Sequence, residues 1–129
     1  MDILIDSNAF IWFVTDDRHL SDLGMGYIQD PNNLIFISIA SLWELGIKYS
    51  LGKLESQLSG FNIVFEQIES NGFEILPIST EHIQVITSLP MHHRDPFDRI
   101  IIAQSLTENI PLISSDSKFD DYGVVRLWK

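Results

Sequence analysis

The sequence predicts an α/β fold of three layers, in which a mainly parallel central sheet of four to five strands lies between two layers of helices. Short apolar runs alternate with longer segments of helical spacing, and this alternation favours a parallel sheet with helices on both faces. The run from Leu34 to Ile37 is apolar without interruption, which is typical of a strand buried on both sides. No linker rich in Pro, Gly and Ser divides the 129 residues, so we expect a single domain over residues 1–129.

The first half of the chain predicts two strands and three helices. Strands are indicated by short runs of β-branched and aromatic residues, and a turn signal around Pro31 separates the second helix from the second strand. Gly52 ends the third helix. In chain order, the elements are a strand over Asp2–Ile5, a helix from Ser7 to about Val14, a helix from Ser21 to about Asp30, a strand over Leu34–Ser38 and a helix from Ile39 to about Leu51.

The second half continues the alternation. Apolar residues between Phe61 and Ile68 recur at helical spacing, and Asp95 followed by Pro96 is a favoured way to begin a helix. The elements are a helix over Phe61–Ser70, a strand over Phe73–Ile78, a helix over Thr80–Leu89, a helix from Asp95 to about Glu108, a strand over Ile110–Ser114 and a short strand over Val124–Trp128.

Composition and charge narrow the function. The chain has no cysteine, which excludes disulfides and thiolate zinc sites. With 8 basic and 18 acidic residues its formal net charge is −10, whereas a protein that binds a nucleic-acid backbone is normally basic. Charge alone therefore argues against nucleic acid, unless some acids bind a cation that reverses the local sign. Because the N-terminus lacks a basic secretory segment and no apolar run is long enough to cross a bilayer, we expect a cytoplasmic protein with no membrane contact.

Four acids stand after predicted strands or in the first turns of predicted helices. Asp6 follows the first strand, Glu44 lies in the first turns of the third helix, Asp98 lies in the first turn of the last helix, and Asp116 follows the fourth strand. In a parallel sheet these positions share one edge, and ligands bind beyond the carboxyl ends of the strands. We call these four side chains the acidic quartet.

Each of these acids also has a purely structural explanation. Asp is a favoured helix N-cap, which suits Asp6 and Asp116. The segment Ser41–Glu44 matches a capping box, and the helix dipole favours an acid in a first turn. Convergence of all four argues the other way, because clustered carboxylates repel each other and are costly to bury. Mg²⁺ and Mn²⁺ prefer oxygen ligands, so the acidic quartet predicts a divalent metal site.

Longer motifs surround the acidic quartet. They are Leu4-Ile5-Asp6-Ser7-Asn8, Ser41-Leu42-Trp43-Glu44-Leu45-Gly46-Ile47-Lys48 with Leu51-Gly52-Lys53-Leu54 after it, His93-Arg94-Asp95-Pro96-Phe97-Asp98-Arg99 leading into Ile102-Ala103-Gln104, and Leu112-Ile113-Ser114-Ser115-Asp116. With these motifs the chain resembles the PIN-domain proteins, and among them the VapC-type toxins of bacterial toxin–antitoxin pairs. The resemblance covers essentially the whole chain, and its central block is the specific part.

The resemblance implies a Mg²⁺- or Mn²⁺-dependent endoribonuclease, a toxin that inhibits translation by hydrolysing RNA. By position, Asp6, Glu44, Asp98 and Asp116 match the catalytic and metal-binding acids of the family. Hydrolysis of this kind leaves a 5′-phosphate and a 3′-hydroxyl. The implied partners are a second copy, in a homodimer, and a small antitoxin that lays a helix or tail into an apolar groove. We expect that groove near Phe10–Val14, a segment that is apolar nearly all round.

Four further side chains are candidates for substrate contacts. Ser7 and Ser114 stand where the family often has Thr, and their hydroxyls could orient a carboxylate or a phosphate. Arg99, beside the third acid, could pair with an acid or grip RNA. Lys48 follows the second acid by one turn, where an ordinary i,i+4 ion pair is the alternative.

The loop before the last helix and the three tryptophans have two interpretations each. His92-His93-Arg94 could touch a phosphate or form a solvated loop; we favour the loop for His92 and leave Arg94 open. The tryptophans at 12, 43 and 128 could stack on bases, but side chains of this kind are more often core or interface anchors.

Three alternative functions use the same architecture. A dehalogenase-type phosphotransferase needs Asp-x-Asp after the first strand, and Asp6-Ser7-Asn8 lacks the second acid. A receiver domain usually has two acids after the first strand and a Lys at a later strand end, which the sequence also lacks. A non-catalytic or RNA-processing PIN-like binding module stays open; metal-dependent stabilisation without RNA cleavage would distinguish a non-catalytic module from the nuclease.

Overall fold

The structure is a computed structural model that describes residues 1–54 and 58–129. The strands in these residues are β1 Asp2–Ile5, β2 Leu34–Ser38, β3 Glu74–Leu76, β4 Leu112–Ile113 and β5 Arg126–Leu127. They form one sheet in the order β3-β2-β1-β4-β5, and every pair is parallel. The predicted α/β class and the parallel sheet are therefore confirmed.

Helices connect the strands. They are α1 Ser7–Val14, α2 Asp22–Gln29, α3 Ile39–Ser50, α4 Asn62–Ser70, α5 Thr80–Ile86, α6 Pro96–Glu108 and a 3₁₀ helix over Ser117–Tyr122. All the α-helices were predicted from the sequence, whereas no predicted element covers the 3₁₀ helix. None of the helices in the described part of the chain is both long and apolar enough to cross a membrane.

Two strands next to prolines and the helix α5 are shorter than predicted. β3 ends before Pro77 and β4 begins after Pro111, because proline has no N–H to donate within a sheet. α5 ends at Ile86, three residues earlier than the sequence predicts. The N–H groups of Thr87–Leu89 donate to carbonyls three residues back, which is the tighter turn common at helix ends.

The alternation of side chains along each strand divides the core between the two faces of the sheet. Ile3 and Ile5 of β1 and Ile113 of β4 belong to the larger cluster, which α1 to α4 cover. Leu4 and Leu112 point the other way, into a smaller cluster with α6 and the 3₁₀ helix. The result is the predicted sandwich of three layers.

The order of the strands creates a crevice at one edge of the sheet. β1 pairs with both β2 and β4; the chain continues from β1 into α1 on one face, and from β4 into the 3₁₀ helix on the other. Connections that leave neighbouring strands toward opposite faces open a crevice at the carboxyl ends of those strands. The candidate site lies there.

The capping box predicted at Ser41–Glu44 is wrong. The N-cap of α3 is Ser38, whose hydroxyl accepts the N–H of Ala40 at 3.1 Å. Ser41 lies inside the helix and is fully buried. A capping role therefore does not explain why an acid stands at position 44.

The apolar residues of α1 serve the core, and the partner groove expected near Phe10–Val14 stays a prediction. Phe10 and Ile11 are buried, and Trp12, Phe13 and Val14 pack against the same cluster. The apolar side chains of this helix therefore pack within the core of the same chain.

Candidate active site

Asp6 is the most buried member of the acidic quartet, with 8% of its surface exposed. It follows β1 and is the N-cap of α1, where its Oδ1 accepts the N–H of Ala9 at 2.8 Å. Burial raises its pKa from 3.8 to about 6; the charges of Glu44 and Asp116 act in the same direction, against hydrogen bonds from Ser114 and Ala9. An ionised Asp6 is therefore costly to the fold unless a cation offsets its charge.

Asp98 lies in the first turn of α6, which begins after the N-cap Asp95. Burial raises the pKa of Asp98 to about 7. The charge of Asp95 adds to this increase, as do those of Glu44 and Asp6, while His93 opposes it. Near neutral pH, Asp98 is thus balanced between its protonated and ionised forms.

Glu44 reaches the site from α3. The Ser7 hydroxyl donates to Glu44 Oε1 at 2.8 Å, and Lys48 Nζ lies 3.6 Å from the other oxygen. The contact with Lys48 is the i,i+4 pair foreseen as the alternative for that residue. Ser7 follows Asp6 directly, so its hydroxyl ties the carboxylate on α3 to the end of β1.

Asp116 lies just after β4 and is the N-cap of the 3₁₀ helix, where its Oδ1 accepts the N–H of Lys118 at 3.0 Å. Its own N–H donates to the Ser114 hydroxyl at 3.0 Å. Ser114 is fully buried and also hydrogen-bonds to Asp6. This hydroxyl therefore links the acids that follow β1 and β4.

All four acids of the quartet lie at the carboxyl edge of the sheet, but among the described residues only Asp98 and Asp116 belong to a close group of potential ligand atoms, and Asp6 and Glu44 lie outside it. Asp6 is affected by the charges of Glu44 and Asp116, and Asp98 by those of Glu44 and Asp6. Ligand atoms of Asp98, Asp116 and His93 lie within 4.8 Å of one another. Carboxylate oxygens suit Mg²⁺ or Mn²⁺, so the acids in the described residues fit a divalent cation.

His93 is the member of this site that sequence reasoning missed. It is 7% exposed, its Nε2 lies 3.3 Å from Asp116 Oδ2, and its ring stacks on Phe119. The interpretation of this loop as solvated holds for His92, which is exposed, but not for its neighbour. No local pattern distinguishes the two histidines, because the partner ring comes from a helix 26 residues further on.

Arg99 occupies a place different from the one expected. Its guanidinium donates to main-chain carbonyls at distances from 2.9 to 3.3 Å, and the structure gives it no acidic partner among the described residues. The four carbonyls belong to Ile86, Leu89, Pro90 and His93. These bonds fix the loop that carries His93, and they favour a supporting role over the substrate contact predicted for Arg99.

Residues 3–125 match the PIN domain family. Among solved structures, the chain is similar to VapBC2 from Rickettsia felis bound to a DNA fragment from their promoter, with a TM-score of 0.76, 19% identity and 100% of both chains covered. It is also similar to FitAcB from Neisseria gonorrhoeae, with a TM-score of 0.65, 16% identity and 97% and 96% of the two chains covered. At these identities the similarity establishes a shared fold. The search of curated proteins gives no match.

Proposed function

The chain belongs to the PIN domain family, whose members are generally nucleases, and we propose that it is a metal-dependent endoribonuclease. In this proposal it is the toxin of a toxin–antitoxin pair and inhibits translation by cutting RNA. The observation that carries the proposal is the position of the acidic quartet at one edge of the sheet, where ligand atoms of Asp98 and Asp116 lie within 4.8 Å of each other and burial raises the pKa of Asp6 to about 6 and that of Asp98 to about 7. Strongly perturbed acids grouped in a crevice are typical of functional sites.

We propose that Asp6, Glu44, Asp98 and Asp116 hold Mg²⁺ or Mn²⁺. These residues would hold the cation, and a divalent cation bound there would supply a water of lowered pKa and positive charge opposite the phosphodiester. It would also remove the charge objection to nucleic acid, because an excess of acids around a bound cation no longer repels a phosphate.

The two hydroxyls foreseen as substrate contacts are already engaged with acids. Ser7 donates to Glu44, and Ser114 hydrogen-bonds to Asp6 and accepts from the N–H of Asp116. We therefore propose that both hydroxyls orient metal-binding carboxylates. Such supporting bonds fix ligand geometry and are worth about 10- to 100-fold in metal affinity.

Lys48 is the cation beside the acidic quartet for which we propose a phosphate contact. Its side chain is 36% exposed and lies at 3.6 Å from Glu44, a distance at which the ammonium group is held loosely. Arg94, Lys53 and Lys118 are exposed as well and could extend a path for the RNA backbone. An RNA substrate is met in the cytoplasm, the compartment that we propose.

We propose two protein partners, a second copy and a small antitoxin. The similarity to VapBC2 supports the antitoxin. For the homodimer, α3 and its C-cap Leu51 offer a stripe at four-residue spacing, in which Ile39, Trp43, Ile47 and Leu51 are between 39% and 64% exposed. Exposed apolar stripes of this kind are typical of interaction surfaces. Solution scattering should give a dimer for the wild type and a monomer for Trp43→Glu; equal masses would contradict this interface.

RNA cleavage with mapping of the new 5′ ends tests the catalytic proposal. The wild type should cleave with Mn²⁺ or Mg²⁺, leave 5′-phosphates and stop in EDTA. Asp6→Asn should fold, because Asn is an equally good N-cap, but should not cleave. The matched control is Asp17→Asn, a change of the same kind between α1 and α2, which should retain activity. Cleavage in EDTA or by Asp6→Asn contradicts the proposal, and metal binding without cleavage favours a binding module.

A further inference from the structure

The ring, the main-chain N–H and the carbonyl of His93 all make contacts that fix its position. Its ring stacks on Phe119 with centroids 5.1 Å apart and lies 5.5 Å from the ring of Tyr122. Its main-chain N–H donates to the Tyr122 hydroxyl, and its carbonyl accepts from Arg99 Nη1 at 3.2 Å. An imidazole fixed in this way presents each nitrogen to one defined environment.

The two ring nitrogens have different surroundings. Nε2 lies 3.3 Å from Asp116 Oδ2. Nδ1 is buried and has no hydrogen-bond partner within residues 1–54 and 58–129. Because a buried N–H without an acceptor is costly, a neutral ring is best accommodated with its proton on Nε2, from which it donates to Asp116.

The same asymmetry argues against His93 as a direct metal ligand. Coordination through Nε2 would move the proton to Nδ1, where the described residues offer no acceptor. Histidines that ligate metals almost always donate their other N–H to a partner. A hydrogen bond to a ligating carboxylate requires no such partner, since only Nε2 carries a proton.

We propose that His93 is a positioning residue, which donates its Nε2–H to Asp116 and directs that carboxylate toward the cation. This role depends on the metal site proposed above. It joins the loop before α6 to the 3₁₀ helix, so that Asp98 and Asp116 keep a fixed separation. Loss of such a bond to a metal-binding carboxylate is expected to weaken metal affinity about 10- to 100-fold.

Mn²⁺ titration calorimetry on purified variants measures this effect. His93→Leu should bind Mn²⁺ at least about 10-fold more weakly than the wild type. His93→Gln, which keeps an N–H at the end of its side chain, should recover most of the loss. The matched control is His92→Leu, an exposed residue in the same loop, which should bind like the wild type.

The outcomes separate this role from the metal site itself. If the wild type does not bind Mn²⁺, the proposed function fails; if the wild type binds and His93→Leu binds equally, only the role of His93 fails. Should His93→Leu not fold, two measurements on the wild type decide. Imidazole ¹⁵N shifts of the metal-free protein should show the Nε2–H form, and pulsed electron spin resonance of bound Mn²⁺ should show no coupling to the His93 nitrogens. The Nδ1–H form or a nitrogen coupling would overturn the proposal.

Discussion

Two groups of aspartates in this protein have opposite environments. At the carboxyl edge of the sheet, burial raises the pKa of Asp6 to about 6 and that of Asp98 to about 7. Away from this edge, the N–H and the ring of His19 lower the pKa of Asp17, and the Arg126 guanidinium lowers that of Asp120. The fold therefore favours the charged form of Asp17 and Asp120 and opposes the charged form of the acids at the sheet edge.

This comparison separates acids that stabilise the fold when they are ionised from acids that destabilise it when they are ionised. Asp120 is an acceptor for both Nε and Nη2 of Arg126, at 2.9 and 3.1 Å, so its charge is matched when the protein folds. Asp6 and Asp98 face other acids instead. A cluster that works against folding is consistent with a site that gains its counter-charge from a bound cation.

The largest expected contrast between the two groups is in catalysis. Glu44→Gln keeps the size of the side chain but removes its charge, and RNA cleavage should fall by on the order of 100-fold or more, the scale of a lost electrostatic group in an active site. Asp17→Asn should cleave at the wild-type rate. Single-turnover assays at saturating Mn²⁺ measure both, and similar rates for the two variants would remove the contrast.

The next effect is on stability without metal. The fold raises the pKa of Asp6 from its ordinary value of 3.8 to about 6. The contribution of Asp6 to stability is therefore complete below about pH 4 and is lost as the pH rises through about 6. The loss is about 2 to 3 kcal/mol, since one pKa unit corresponds to about 1.4 kcal/mol. Urea unfolding in EDTA should show Asp6→Asn more stable than the wild type at pH 7.5 and no more stable at pH 4. Equal stabilities at pH 7.5 would contradict this.

A smaller effect is expected from a hydroxyl that supports the site. Ser7→Ala removes the 2.8 Å bond to Glu44, and Mn²⁺ affinity should fall about 10-fold. Ser50→Ala is the control, because that hydroxyl donates to the Ile47 carbonyl on α3 and touches no member of the acidic quartet. Calorimetry compares the two; a loss of equal size in both variants would show that Ser7 has no special role.

The smallest effect is expected at Asp120 in the 3₁₀ helix, and its pH dependence has the opposite sign. Because the pKa of Asp120 is lowered, its contribution to stability is present above about pH 4 and is lost as the pH falls through the lowered value. Asp120→Asn should be slightly less stable than the wild type at pH 7 and should bind Mn²⁺ normally. A stability gain at pH 7 would contradict the assignment.

Local patterns in the sequence predicted the elements and the positions of the acids. Strand–helix alternation gave the parallel sheet, and the turn around Asp95 and Pro96 located the start of α6 within one residue. Asp6 and Asp116 could be placed at the sheet edge because each follows a strand and parallel strands share a carboxyl edge.

Contacts between distant residues could not be predicted in this way. His93 belongs to the site because Phe119 packs on its ring. The Arg99 guanidinium donates its hydrogen bonds to main-chain carbonyls before α6. The apolar residues of α1 pack against the core. In each case the residues that make the contact are far apart in the sequence, and helical or strand periodicity describes only neighbouring residues.

Thermal unfolding at pH 7.5 with and without Mn²⁺ tests most directly whether the sheet-edge acids form a cation site. At a concentration about 100 times its dissociation constant, the metal should stabilise the wild type by about 2.7 kcal/mol and raise its Tm by several degrees. Asp98→Asn should melt above the wild type in EDTA and should gain little from Mn²⁺. No rise for the wild type, or an equal rise for both proteins, would contradict a metal site built on these carboxylates.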